Sequence, residues 1–299
     1  MTDALRHLAA CVMPFRGNGK IDSGGLRAQM DFLLETGVIT GLVVNAHAGE
    51  GDSLTRDERL EVIELAVKTA KPGNFSTVAA ISPSPATTET AVEMACEARQ
   101  AGADAVMLLG PSWFTWGVGP EDVYRYIATV AESGQIPVIY FVTGAYAGIH
   151  YTPEIVARLC EAPGVIGIKD TMWNTQGFEA NLEAVRNSRC EIQVLTGNDT
   201  LLFYNFLAGA EGTLLVLHTL FPEMIVEMFE AVQSGEIGQA KAINDRLAPA
   251  ANALFAPPMI RAIPRLKEGL VWAGRMENTR VRSPLPEISV EEREALIQI

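Results

Sequence analysis

The stretch "TPEIVARLCEAPGVIGIKD" (residues 152–170) sets a helical pattern directly before a short apolar run, and the recurrence of that unit decides the fold. Thr152 and Pro153 read as a helix start, and "VIGI" is short and apolar enough for a buried strand. Seven further runs match it: "LAACVMPF" (8–15), "TGLVVNA" (40–46), "STVAAISP" (76–83), "AVMLLGP" (105–111), "PVIYFV" (137–142), "IQVLTG" (192–197) and "GTLLVL" (212–217). Segments of helical period separate them, among them 56–70, 86–102 and 120–133. Strand then helix, eight times over, predicts an α/β fold in which a parallel sheet closes into a (β/α)8 TIM barrel. A doubly wound open sheet is the alternative, but no GxGxxG follows the first strand. The boundaries expected are residues 1–220 for the barrel and 221–299 for a C-terminal helical segment packed on it, ending in a helix from near Ser289.

The composition narrows the function. Of 299 residues, 48% are hydrophobic and 20% charged, the proportions of a compact protein with a sizeable core. A net charge of -13 opposes binding to nucleic acid, which needs a basic face. The absence of a long apolar run and of a basic region before an apolar core near the start predicts no membrane span, no signal peptide and a cytoplasmic location. Cys11, Cys96, Cys160 and Cys190 are widely spaced with no CxxC pair, as expected of thiols in a reducing compartment.

In such barrels the reacting groups collect at the carboxyl ends of the strands. The residues to read there are Asn45 and His47, Gly110 to Trp113, Tyr140, Lys169 and Asp170, Gly197 to Asp199, and His218. Alternation places Val165, Gly167 and Lys169 on one face of the sixth strand, with Ile166 and Ile168 on the other. By itself "GVIGIKD" also suits an edge strand with its lysine tip in water. Read as a barrel strand, it aims Lys169 into the interior, with Gly167 leaving space beneath it. Burial disfavours the ammonium, and a neutral amine can attack a carbonyl carbon to form a Schiff base. Lys20, Lys68, Lys71, Lys241 and Lys267 read as loop or helix-face residues, so Lys169 is selected by elimination. On the neighbouring fifth strand Tyr140 is expected to reach that amine and move protons, or else to be a core tyrosine with its hydroxyl satisfied by backbone. The loop "NAHAGEGDSLT" (45–55) can offer backbone N–H groups to a carboxylate, and it equally suits an ordinary turn before a helix.

Taken together, these residues resemble the N-acetylneuraminate lyase and dihydrodipicolinate synthase family of class I, pyruvate-handling aldolases and lyases. The motifs that carry the resemblance are "AGE" (48–50), "IPVIYFV" (136–142), "GVIGIKD" (164–170), "LTGNDTLL" (195–202) and "VRSPLPEISVEEREAL" (281–296). It implies a homotetramer in which Lys169 forms an imine with pyruvate or another 2-oxo acid, with or without an aldehyde partner. It makes Tyr140 the proton relay, has His47, Ala48 and Gly49 hold the substrate carboxylate, and sets Leu214 and Gly197 in the pocket wall. No metal or cofactor is implied. The departures matter too: His47 and Ala48 replace two threonines, Trp113 stands for a relay tyrosine from a neighbouring subunit or, with Trp116, walls the substrate or a subunit contact, and "FVTGAYAGIHY" (141–151) lacks the arginine for a second substrate's carboxylate around Ala145. A lysine-biosynthetic synthase is therefore not expected. His47 is either a substitute acid or base or a loop histidine bonded to backbone. Two other readings stand beside this one: a metal-dependent enzyme using His47, Glu50, Asp170 and His218, and a catalytically silent binding protein.

Overall fold

A computed structural model describes residues 5–144, 147–188 and 190–297. Eight strands form a closed barrel in chain order: β1 His7–Ala10, β2 Gly41–Val44, β3 Ser76–Ile81, β4 Ala105–Leu108, β5 Val138–Val142, β6 Val165–Asp170, β7 Gln193–Thr196 and β8 Gly212–Leu215. Every neighbouring pair is parallel, and β8 closes on β1 through Leu8 and Leu214. The eight apolar runs of the sequence are these eight strands. They are apolar on both faces because one face fills the barrel and the other packs under helices.

The crossover helices are α1 Ser23–Glu35, α2 Arg56–Ala70, α3 Thr88–Gln100, α4 Pro120–Gly134, α5 Pro153–Cys160, α6 Thr175–Ser188 and α7 Leu202–Ala208. Local chemistry fixes their starts. Thr55 and Glu58 form a reciprocal capping box on α2, and Thr152 accepts from the Ile155 amide ahead of Pro153 on α5. The eighth outer helix, α8 Pro222–Gln233, lies just past residue 220, so the repeat continues into the segment that the sequence reading placed in the tail.

Three more helices follow: α9 Ile237–Leu254, α10 Ala262–Trp272 and α11 Val290–Ile297. This tail packs on the carboxyl rim of the barrel. Lys267 of α10 is fully buried in an ion pair with Glu50 of the β2–α2 loop. Arg282 donates to both carboxylate oxygens of Glu58, at 2.7 and 2.6 Å. Asn278 donates to the Phe15 carbonyl at 3.0 Å. Among the described residues no helix is long and apolar enough to cross a membrane.

Candidate active site

A cavity of about 360 Å³ opens at the carboxyl end of the barrel, between the strand ends and the tail. Lys169 stands in its wall. On β6 its side chain shares the inner face with Val165 and Gly167, and only 9% of its surface is exposed. The glycine that makes room for it is Gly197 rather than Gly167. A Cβ at Gly197 would fall 2.5 Å from Lys169 Cε and 2.7 Å from its Cγ, whereas one at Gly167 would meet the Gln193 carbonyl at 3.0 Å. Among the described residues no ion pair or hydrogen bond holds the amine; Nζ lies 4.1 Å from the centre of the Phe141 ring.

Burial moves Lys169 from 10.5 to about 8, and the Asp199 carboxylate partly offsets the fall. Asp199 is buried too. Desolvation pushes its carboxyl up to about 7, against the Leu217 amide donating to Oδ1 at 2.9 Å and the Lys169 charge. The two groups approach each other in affinity for a proton, the condition for passing one between them. Asp199 lines the cavity and is a carboxylate to which the sequence alone assigns no role. Its signal was available in "TGND" after β7, a carboxylate on the same inward alternation as Gly197.

His47 also lines the cavity, with its ring 5.6 Å from that of Phe141. It keeps surface open to the cavity while protein crowds its other sides. That desolvation, with the nearby Lys169 charge, lowers its pKa against an opposing pull from Asp52, favouring neutral imidazole. Ala48 borders the cavity beside it. Gly49 does not, but backbone crowds it: a Cβ would lie 3.2 Å from the Asn45 amide nitrogen and 3.3 Å from the Cys11 carbonyl, contacts tight enough that the neighbours would have to give. Among the described residues no acceptor takes the Ala48 and Gly49 amides, so the loop keeps donors for an anion.

Three expected site residues lie elsewhere. Tyr140 is on the outer face of β5. Register pairs it with Ile168, while Phe141 pairs with Lys169, and parallel neighbours in register point the same way. The phenol expected beside the lysine is thus a phenyl ring, and Tyr140 donates to or accepts from Tyr151 at 3.0 Å in a fully buried outer layer. Desolvation and the Tyr151 contact hold its pKa well above 10, which suits a structural hydroxyl. Leu214 points inward but sits opposite Leu8, in the packed layer below; Val216, two residues on, reaches the cavity. Trp113 is 61% exposed, stacked edge-on against Trp116 in a separate groove by Thr87 and Arg125. The question about Ala145 falls outside the described residues.

The elimination among lysines was also incomplete, since Lys267 is buried. Its ion pair with Glu50 and its bond to the Arg280 carbonyl, 2.6 Å, occupy it structurally. The four residues of the metal reading do not converge: of them only His47 lines the cavity. Glu50 belongs to Lys267. Asp170 accepts from the Met172 amide and from Asn181, both at 2.8 Å, and His218 bonds Thr213 at 2.8 Å on the outer side of β8. Among the described residues no group of three or more His, Cys, Asp or Glu is placed to hold a metal.

The sequence matches the dihydrodipicolinate synthetase family over residues 3–299. The chain belongs to this family. It is an enzyme of the aldolase and lyase class that the family comprises. It is 32% identical over 247 residues to a 4-hydroxy-tetrahydrodipicolinate synthase of Kosmotoga olearia, covering 83% of this chain and 82% of that protein. With the corresponding protein of Archaeoglobus fulgidus the identity is 29% over 98% of this chain and 96% of the relative. A crystal structure of a dihydrodipicolinate synthase superposes with a TM-score of 0.85 at 26% identity, covering 98% of this chain and 97% of the other. That of the Acinetobacter baumannii synthase complexed with pyruvate gives 0.87 at 24%, covering 99% and 97%, and shares the fold.

Proposed function

We propose that this family member is a Schiff-base lyase or aldolase acting on pyruvate or a related 2-oxo acid. The observation that carries the reading is Lys169, a buried amine with lowered pKa, free of ion pairs among the described residues and facing a cavity. The solved synthase complexed with pyruvate is a relative with the same fold. In the proposed reaction the neutral amine adds to the C2 carbonyl, and loss of water leaves a protonated imine. The imine draws electrons from a bond at C3 and an enamine remains: either C3–H breaks and a base takes the proton, or the C3–C4 bond of a 4-hydroxy substrate breaks, a base takes the hydroxyl proton and C4 departs as an aldehyde. Protonation of the enamine and hydrolysis of the imine release product and restore the amine. The free amides of Ala48 and Gly49 suit the substrate carboxylate.

Proton transfer in this reading belongs to Asp199, with His47 as a second base. No hydroxyl from β5 shares the face of Lys169, and the Asp199 carboxyl lines the same cavity, within reach of the Lys169 charge, with an affinity near neutrality. The phenyl ring at Phe141 and the absence, among the described residues, of a second lysine or arginine lining the cavity favour a reaction other than that of the named synthases. A homotetramer, as the family resemblance implies, is compatible with this chemistry.

The test is hydrogen exchange at C3. In deuterated water the enzyme should remove the methyl proton signal of pyruvate, Lys169→Ala should abolish the exchange, and Asp199→Asn should slow it by roughly 10²-fold, the usual contribution of a general base. Exchange surviving in Lys169→Ala would end the proposal.

A further inference from the structure

The polar side chains of the cavity, Lys169, Asp199, His47, Asn198 and Thr171, all come from the barrel, where Phe141, Trp173 and Val216 stand among them. The tail adds hydrocarbon alone: Phe255 past the end of α9, Met259 and Ile260 in the turn before α10, and Ile263 and Leu266 of α10. Among the described residues Lys169 is the only lysine or arginine lining the cavity. The cations nearest in sequence to the apolar wall are committed elsewhere. Arg261 bonds Glu292 at 2.6 Å, Arg265 bonds the same carboxylate at 2.7 Å, and Lys267 is held by Glu50.

Size points the same way. Taking pyruvate as about three water volumes of roughly 30 Å³ each, it fills only about a quarter of the cavity. Of the side chains that line the remaining space, Ile260 is 50% exposed, so a longer side chain there has room.

Resting on the Schiff-base reading, we propose that the substrate is a 2-oxo acid with an uncharged hydrocarbon substituent, which the wall of Phe255, Met259, Ile260, Ile263 and Leu266 receives. A second carboxylate would have to leave water without a charge-assisted donor to replace its hydration, whereas a hydrocarbon tail is removed from water at no such cost. The tail thereby sets specificity, and the oxo-acid head is left to Lys169 and the β2–α2 loop.

Calorimetry with two isosteric ligands tests this: 5-methyl-2-oxohexanoate, which ends in an isopropyl group, and 2-oxoglutarate, which ends in a carboxylate. The hydrocarbon ligand should bind tighter by about tenfold or more, the discrimination that differences of this size in a pocket produce. Ile260→Arg should shift the ratio by about tenfold toward 2-oxoglutarate, since it supplies the missing donor at an exposed position. Equal or tighter binding of 2-oxoglutarate to the unmodified enzyme, or a ratio unmoved by Ile260→Arg, would overturn the inference. Measuring the same ratio in Lys169→Ala separates the two claims. A hydrocarbon preference retained there supports the wall whatever becomes of the imine, and a preference reversed there counts against it.

Discussion

Replacing Asp199 by asparagine should make Lys169 a weaker base, and the effect follows from the causes of its shift. Desolvation lowers the amine to about 8 and the Asp199 charge pulls it upward, so removing that charge moves the midpoint further down. With a midpoint near 8, the neutral fraction is roughly 9% at pH 7 and roughly 91% at pH 9, a tenfold rise; an ordinary lysine at 10.5 would rise about a hundredfold over that interval. The assay is competitive labelling with a small acylating reagent, followed by mass spectrometry of the peptide carrying Lys169, because acylation tracks the neutral amine. The native protein should show the shallow rise and level off above pH 9, and Asp199→Asn should be labelled faster at pH 7. A hundredfold rise in the native protein would refute the burial argument. A midpoint raised by Asp199→Asn would refute the coupling between the two groups.

Other substitutions probe the remaining assignments. Tyr140→Phe should leave 2-oxo acid exchange within about twofold of native and cost about 1 kcal/mol in urea unfolding, the net worth of the hydrogen bond to Tyr151. Lys267→Met should destabilise by about 3–5 kcal/mol because it strands Glu50 as a buried charge. Lys169→Met should cost less than Lys267→Met, since no carboxylate is ion-paired with Lys169 and Asp199, already pushed up to about 7, can take a proton. The folded-state pKa of Lys169 lies below the unfolded value, so the penalty is full below pH 8 and native stability should recover relative to Lys169→Met between about pH 8 and 10.5. Gly197→Ala should slow imine formation at least about tenfold and cost about 1–3 kcal/mol, because its methyl group would overlap the stem of Lys169.

What the sequence showed was governed by local rules. Each strand is a short apolar run between polar helices, and Thr55, Thr152 and Pro153 mark helix starts by chemistry that needs no distant partner. Lys169 was legible for the same reason, a single charge at the end of a strand with inward alternation. The phase of β5 was not. In "VIYFV" both faces are apolar, so nothing in the run distinguishes inside from outside, and only the register with β6 gives the inner position to Phe141. The shift in that register between Val138 and Ile139 further removes any simple count from one strand to the next.

The tail's share in the cavity was hidden on different grounds. Phe255, Met259 and Leu266 look like the apolar positions of any helical segment, and their place over the cavity follows from long-range bonds. Lys267 finds Glu50 across 217 positions of sequence and Arg282 finds Glu58 across 224. Such partners leave no periodic trace. Trp113 lies outside this chain's cavity and is 61% exposed, a placement that its position near a strand end does not reveal.

The central claim is that Lys169 forms an imine with a 2-oxo acid. Sodium borohydride added to enzyme and pyruvate reduces such an imine to a stable secondary amine, and peptide mass spectrometry locates it. The account predicts progressive inactivation dependent on both reagents, with the adduct on the peptide containing Lys169 and none in Lys169→Ala. An adduct on Lys267 or any other lysine, or inactivation by borohydride that pyruvate does not accelerate, would contradict it.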